Sequence, residues 1–307
     1  MAGNRIGWIG AFGLALMAAA PALAETAQMT GRFPAQYREA AMLRSLSVDR
    51  IGGRDGQALS MAIERALSGG YFDLVYDGRR GSGRADGALS GAVSSGVEDS
   101  YYKRPEKRCA EKDKDGKCTK EEEVQVNCTR RVANLNADLR IVRAEDGRIV
   151  YSSNKPNRQE ITWCQGQSPS RTAEEMINSM IGEAANAVRA EITPHTETYR
   201  IRFRESTKGL PKDQNNRFKA TVKLSQRDLR AACADWASMN QTSPNHPSVV
   251  FNLGLCAEAA GDLRGALAFY QQAIGLLGQR SEAGTGAGRV QSRMVADADA
   301  AERARRG

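Results

Sequence analysis

FNLGLCAEAAGDLRGALAFYQQAI, residues 251–274, decides how the C-terminal part of this 307-residue chain is read. Apolar side chains recur with helical spacing on both sides of Gly261-Asp262. Inside a single helix that glycine would cost about 1 kcal/mol relative to alanine. The pair therefore reads as a turn between two antiparallel helices. Small residues, Gly254, Ala257, Ala266 and Ala273, stand where such helices approach closely.

The pattern recurs upstream. One repeat of about 34 residues before Ala266, Tyr270 and Ala273 stand Ala232, Trp236 and Met239, and Pro244 follows where such a repeat closes. This register resembles the tetratricopeptide repeat family over residues 217–280. The resemblance implies a short all-α domain, with Asn252 placed to hydrogen-bond a peptide in a groove lined by Phe251 and Leu255. The cations of a carboxylate clamp and a third repeat are missing, so docking against the preceding domain stands beside peptide capture. The same packing would bring Cys233, on one repeat's second helix, against Cys256 on the next repeat's first, and a disulfide is expected there. Residues 205–216 read as a linker, and 281–307 as a linker with a C-terminal helix or tail.

Working outward toward the N-terminus, residues 40–204 alternate between strand and helix signals. MLRSLSV (42–48), YFDLVY (71–76) and ALSGAV (88–93) read as strands, and Leu59, Ile63 and Leu67 lie on one helix face ending at Gly69-Gly70. GRRGSGRADG (78–87) is a turn whose glycines miss the dinucleotide-binding spacing. Leu135, Ala137, Leu139 and Ile141 alternate with polar residues, the signature of a half-buried strand. RIVYSS returns after Glu145-Asp146-Gly147. Thr172 and Glu175 form a capping box ahead of a helix carrying Ile177, Met180, Ile181, Ala184 and Val188. YRIRFR (199–204) is expected as the last strand. The fold class is α+β: a small α/β sandwich, a sheet with two helices, over residues 25–204, followed by the helical domain. In element order and in DGQALSMAIERALSGGYFDLV and ADGALSGAV, this first domain resembles the amino-terminal domain of periplasmic TolB and CsgG-like proteins. That resemblance implies a non-enzymatic role in envelope assembly.

The compartment is read from the ends and the cysteines. Residues 1–24 carry Arg5, an apolar stretch and Ala22-Leu23-Ala24, the layout of a cleaved signal peptide. No cysteine precedes Cys109, so a lipoprotein is not expected, and Ala-Gly-Arg-rich usage points to a Gram-negative periplasm. No transmembrane segment is expected in the mature chain. Export turns a net charge of +8 away from nucleic acid and toward weak contact with an anionic envelope surface. Six cysteines in an exported chain read as disulfides. If Glu145-Asp146-Gly147 is a three-residue hairpin loop, Ala144 faces Arg148, and counting outward in that register sets Cys128 opposite Cys164, provided that Pro156 forces no bulge. Elimination then pairs Cys109 with Cys118, closing the charge-dense segment 96–123, expected as a loop or long hairpin tip.

Chemistry-bearing motifs are sparse. In EKDKDGKCTKEE, Glu111, Asp113, Asp115 and Glu122 have a spacing that partly imitates a calcium loop. The imitation lacks its first aspartate and its flanking helix, so a solvated loop without metal is the preferred reading. His195 and His246 follow no catalytic motif, and no catalytic residue and no cofactor are expected. The function expected is that of a periplasmic adaptor or envelope-assembly protein binding a protein partner. The alternatives are a calcium- or glycan-binding module using residues 96–123, and a hydrolase with an unrecognised carboxylate site.

Overall fold

The computed structural model describes residues 25–76 and 84–305; the expected signal peptide and most of the 78–87 turn lie outside the described residues. The chain is α+β and forms two units, one of residues 30–198 with 287–305, the other of 25–29 with 199–286.

The first unit is built on a five-stranded sheet. Its strands are β2 (Ser45–Gly52), β3 (Asp73–Leu74), β4 (Gly87–Lys112), β5 (Cys118–Arg143) and β6 (Ile149–Cys164), ordered β3-β2-β4-β5-β6. Strand β2 runs parallel to β3 and β4, and β4-β5-β6 is an antiparallel meander. Two helices, α2 (Gly56–Leu67) and α3 (Ala173–Ile192), pack on one face. They bury Leu59, Ile63, Met176, Met180 and Val188 against Leu89, Leu135, Leu139 and Ile141. The opposite face carries Asn134, Asp138, Arg140 and Asn154 in solvent, so strict alternation along β5 encodes a sheet covered on one side. The α3 capping box forms as expected, with Thr172 and Glu175 each accepting from the other's backbone N–H.

Several boundaries differ from the sequence reading. A first strand, β1 (Thr26–Phe33), precedes everything foreseen; of its buried positions Ala27, Met29 and Gly31, only Met29 is a large apolar residue, which leaves no alternation to announce a core. It pairs with β7 (His195–Arg202) as a separate two-stranded sheet, so the 199–204 strand does not complete the main sheet. A short helix, α1 (Arg38–Ala41), precedes β2, and YFDLVY contributes only two residues of strand. Residues 281–307, read partly as a linker, instead supply α8 (Glu282–Arg305). Gly286 marks a close contact rather than flexibility: a Cβ there would lie 2.8 Å from the Tyr270 ring.

The second unit contains α4 (Lys212–Leu224), α5 (Leu229–Thr242), α6 (Pro247–Ala259) and α7 (Leu263–Leu277), each packed on the next. The α6–α7 turn is at the foreseen place, with Gly261 at φ +81° and Asp262 capping Gly265 N–H. Gly254 lets α6 meet α7, since a Cβ there would sit 2.7 Å from the Tyr270 ring. Ala232, Trp236, Met239, Ala266, Tyr270 and Ala273 are all fully buried. Cys233 and Cys256 tie α5 to α6.

Candidate functional site

Two features stand out, one in each unit. The first is the extension of β4 and β5. Strand β2 leaves β4 at Ala92, and β6 leaves β5 at Cys128, yet β4 and β5 remain paired to Lys112 and Cys118. The expected 96–123 loop is therefore mostly paired strand, the second of the two forms foreseen. Its residues carry no alternation of apolar and polar types because both faces meet solvent, which is why the sequence reads as loop. About ten residues per strand at roughly 3.3 Å each make an arm on the order of 30 Å long.

One disulfide joins the two strands of this arm near its tip, and a second ties its base to β6. Cys109 is bonded to Cys118 near the tip, with Cα atoms 5.6 Å apart, and Cys128 to Cys164 at the root. The root pair faces across the ladder in the register derived from sequence, but by a different route. Arg143 N–H donates to Arg148 O and Gly147 N–H to Arg143 O, so the turn holds residues 144–147, one more than expected. A bulge between Ile141 and Val142 then restores the count, and Pro156 sits opposite Asn136 without disturbing it. Gln165 N–H donates to Asn127 O, which makes Cys128 and Cys164 the closer, non-hydrogen-bonded kind of pair. Val126 packs beside this disulfide.

The root of the arm, where β4, β5 and β6 still pair, exposes aromatic surface next to ordered charge. Tyr101 is 79 % exposed and Tyr102 41 %. Arg131 donates two hydrogen bonds to Asp99, at 2.8 and 2.7 Å, and lies 5.1 Å from the Trp163 ring centroid. The Arg131 hydrogen bonds hold the Asp99 carboxyl below its ordinary pKa. Lys103, Arg104, Lys107 and Arg108 line β4, whereas Glu121, Glu122 and Glu123 line β5.

The four calcium candidates do not converge. Asp113 Oδ1 accepts from the N–H groups of Asp115 and Lys117, closing the tip turn, and Glu111 pairs with Lys120 at 3.1 Å. Glu122 lies down the strand opposite Arg108. Among the described residues no group of three or more His, Cys, Asp or Glu side chains is arranged to hold a metal ion.

The second feature corrects the groove reading. Phe251 and Leu255 are buried in the helical core and line no open surface. Asn252 is also buried, but its carboxamide is used: Oδ1 accepts from Arg204 N–H at 2.9 Å, and Nδ2 donates to Arg204 O at 3.0 Å. Ser248, one turn earlier on α6, donates to Ser206 O at 2.7 Å, and His246 Nε2 meets Lys208 O at 3.1 Å. Residue 204 and the start of the stretch read as a linker are thus held along their backbone by Asn252 and Ser248 of α6 and by its N-cap residue His246. Phe203 is buried against Trp236 at 4.9 Å between ring centroids, and Leu210 anchors the other end. Asn252 was legible as a backbone clamp; that its target is the chain's own residue 204 was not. His195 stacks on Phe33 at 5.6 Å, and burial lowers the pKa of His246.

Three disulfides are the chemistry of an oxidising, extracytoplasmic compartment. Among the described residues no helix is long and apolar enough to cross a membrane. No protein-family model matches the chain, and no curated protein matches it in sequence. Solved structures that resemble it include a candidate lipoprotein from Caulobacter crescentus, 14 % identical over 51 % of this chain and 92 % of its own, with a TM-score of 0.27. The PelC dodecamer from Paraburkholderia phytofirmans is 19 % identical over 54 % and 96 %, with a TM-score of 0.24. A minor lipoprotein from Acinetobacter baumannii is 12 % identical over 48 % and 90 %, with a TM-score of 0.26. Scores of this size settle neither family nor function.

Proposed function

We propose that this chain is a non-enzymatic adaptor or envelope-assembly protein, exported to the periplasm, that engages a protein partner through the β4–β5 arm. In this reading the first unit is a small α/β sandwich of the TolB and CsgG-like kind, and the second a short tetratricopeptide-like scaffold. The observation that carries it is the arm itself. An isolated two-stranded ribbon is marginal in water; this one is cross-linked near its tip by Cys109–Cys118, Cys128–Cys164 ties β5 to β6 at its root, and Tyr101 and Tyr102 are exposed on β4 where the ribbon leaves the sheet. Tyrosine supplies large contact area with little rotamer entropy to lose, which is why it concentrates at interfaces. Export and the basic balance of the chain fit a weak additional attraction to anionic envelope surfaces.

The test is a photo-crosslinking residue at position 101 in the exported protein, in cells. A discrete cross-linked protein is expected, lost when residues 103–127 are replaced by a short turn. Recovery of the same partners by the shortened chain would refute the arm as the docking element.

A further inference from the structure

We infer that the outer edge of β5, from Glu121 to Gln125, takes an extended, lysine- or arginine-rich segment of a protein partner as an added strand; this rests on the reading of the arm as the docking element. Two hydrogen bonds fix which backbone groups face outward. Ala144 N–H donates to Asp86 O at 2.7 Å, in line with the single register that runs from Gly87 opposite Arg143 to Cys109 opposite Glu121. Hydrogen-bonded and non-hydrogen-bonded pairs alternate along an antiparallel ladder. Even-numbered residues of β4 and β5 therefore point at each other, and odd-numbered ones point away. Gln165 N–H donates to Asn127 O at 2.8 Å, so odd residues of β5 face the side of β6. Pairing with β6 stops at Cys128, which leaves the N–H and C=O groups of Glu121, Glu123 and Gln125 facing solvent.

The other edges of this sheet are closed to such pairing. Past Ala92, β4 has no neighbour on the side of β2, and Pro105, directly opposite Gln125, occupies an outward-facing position there. The outer edge of β6 carries Pro156, whose pair with Asn136 is of the same non-hydrogen-bonded kind as Cys128 with Cys164, so it too faces outward. Strand β3 has only two residues. Proline withholds the amide that an added strand needs, which is how exposed edges are blunted. Strand β5 contains no proline.

Charge selects the occupant. Consecutive strand residues alternate between faces, so Glu121, Glu122 and Glu123 place carboxylates on both sides of the edge. Glu121 lies 3.8 Å from Lys107, and among the described residues Glu122 and Glu123 form no ion pair. Toward the root, Val124 and Val126 pack with the Cys128–Cys164 disulfide and offer apolar neighbours on one face. Opposite charges across a strand pair stabilise it and like charges oppose it, and in strand addition main-chain bonds give affinity while side chains select. A second copy of this chain fits poorly: β5 against β5 brings glutamates together, and β4 or β6 brings Pro105 or Pro156.

The experiment uses the oxidised, isotope-labelled mature chain and a short synthetic peptide of alternating lysine and valine, with its glutamate counterpart as control. Amide exchange is read residue by residue by NMR. In the free chain the amides of Glu121, Glu123 and Gln125 should exchange fast and those of Val124 and Val126 slowly. Millimolar lysine peptide should slow the three fast amides by about tenfold or more, and the glutamate peptide should not. Gln125→Pro mirrors Pro105 and removes no bond to β4; it should abolish the protection of Glu121 and Glu123, whereas Gln125→Ala should keep it. Open amides in the unmodified chain at millimolar lysine peptide overturn the inference even if Gln125→Pro fails to fold, and so does equal protection by both peptides. Protection without peptide that grows with protein concentration would assign the edge to a second copy and overturn it as well. The two readings fail separately: absence of a cross-link at position 101 in cells counts against the arm, and an edge left open by the lysine peptide counts against this inference alone.

Discussion

Replacing Gly254 by alanine sets two effects of known sign against each other. Glycine inside a helix is worse than alanine by roughly 0.5–1 kcal/mol, so on backbone grounds alone Gly254→Ala should stabilise α6. The structure decides otherwise. The new Cβ would fall 2.7 Å from Tyr270 Cε1, 2.8 Å from Cδ1 and 3.3 Å from Cγ. The ring has little room to retreat, because it already lies against the backbone of Gly286 on α8, so close that a Cβ there would stand 2.8 Å from Cζ. The hydroxyl is held as well, donating to the buried Glu258 at 2.7 Å. Overpacking of this kind costs about 1–3 kcal/mol, so a net destabilisation of about 0.5–2 kcal/mol is expected. Gly275, on the exposed side of α7 with nothing within 4 Å of a Cβ, is the control and should gain about 0.5 kcal/mol as alanine. Urea unfolding of the oxidised protein, followed by helical circular dichroism, separates the two. If both substitutions stabilise, Tyr270 is not wedged between two glycines and the account of α6, α7 and α8 packing is wrong.

Acidification should weaken the second unit: burial lowers the folded pKa of His246 below about 6.5, so its contribution is complete above that pH and is lost as pH falls below it. His246→Gln should flatten that slope in unfolding curves measured between pH 5 and pH 8. Replacing Cys128 and Cys164 by serine should cost about 4 kcal/mol by chain entropy, against about 2.5 kcal/mol for Cys109 and Cys118, whose sequence separation is 9 rather than 36. The ranking is read from denaturation midpoints. Arg303 holds the end of α8, donating to the carbonyls of Ala41, Leu43 and Tyr71 and stacking 4.3 Å over the Tyr71 ring. Arg303→Lys loses the planar fork and should expose residues 287–305 to limited proteolysis; unchanged cleavage would argue against the latch.

What was legible depends on where the information sits. The helical register from Ala232 to Ala273 shows in sequence because packing of α5, α6 and α7 demands small and aromatic residues at fixed offsets. The Cys128–Cys164 facing pair was legible because strand pairing conserves register over many residues; the longer turn and the bulge offset each other, and neither has a residue signature. Strand β1 was not legible, since its inward positions are alanine, methionine and glycine. The arm was ambiguous for the opposite reason: a ribbon wet on both faces has no hydrophobic period to detect. The SEAGTGAG stretch misled because glycine at a helix contact and glycine in a linker look alike in one dimension.

The same limit explains why Asn252 was given the wrong partner. Residues 205–216 have the composition of a linker, and a backbone gripped by its carbonyls and amides needs no particular side chains to be gripped. Only Phe203 and Leu210 betray the docking, and each lies at a boundary where an apolar residue has another reading, as the end of a strand or the approach to a helix. Asn252 could be picked out because a buried carboxamide needs both a donor and an acceptor, and an extended backbone supplies both from one residue. That pairing is indifferent to whether the backbone belongs to the same chain. In this protein proximity decides it, because a tethered segment competes at high effective concentration.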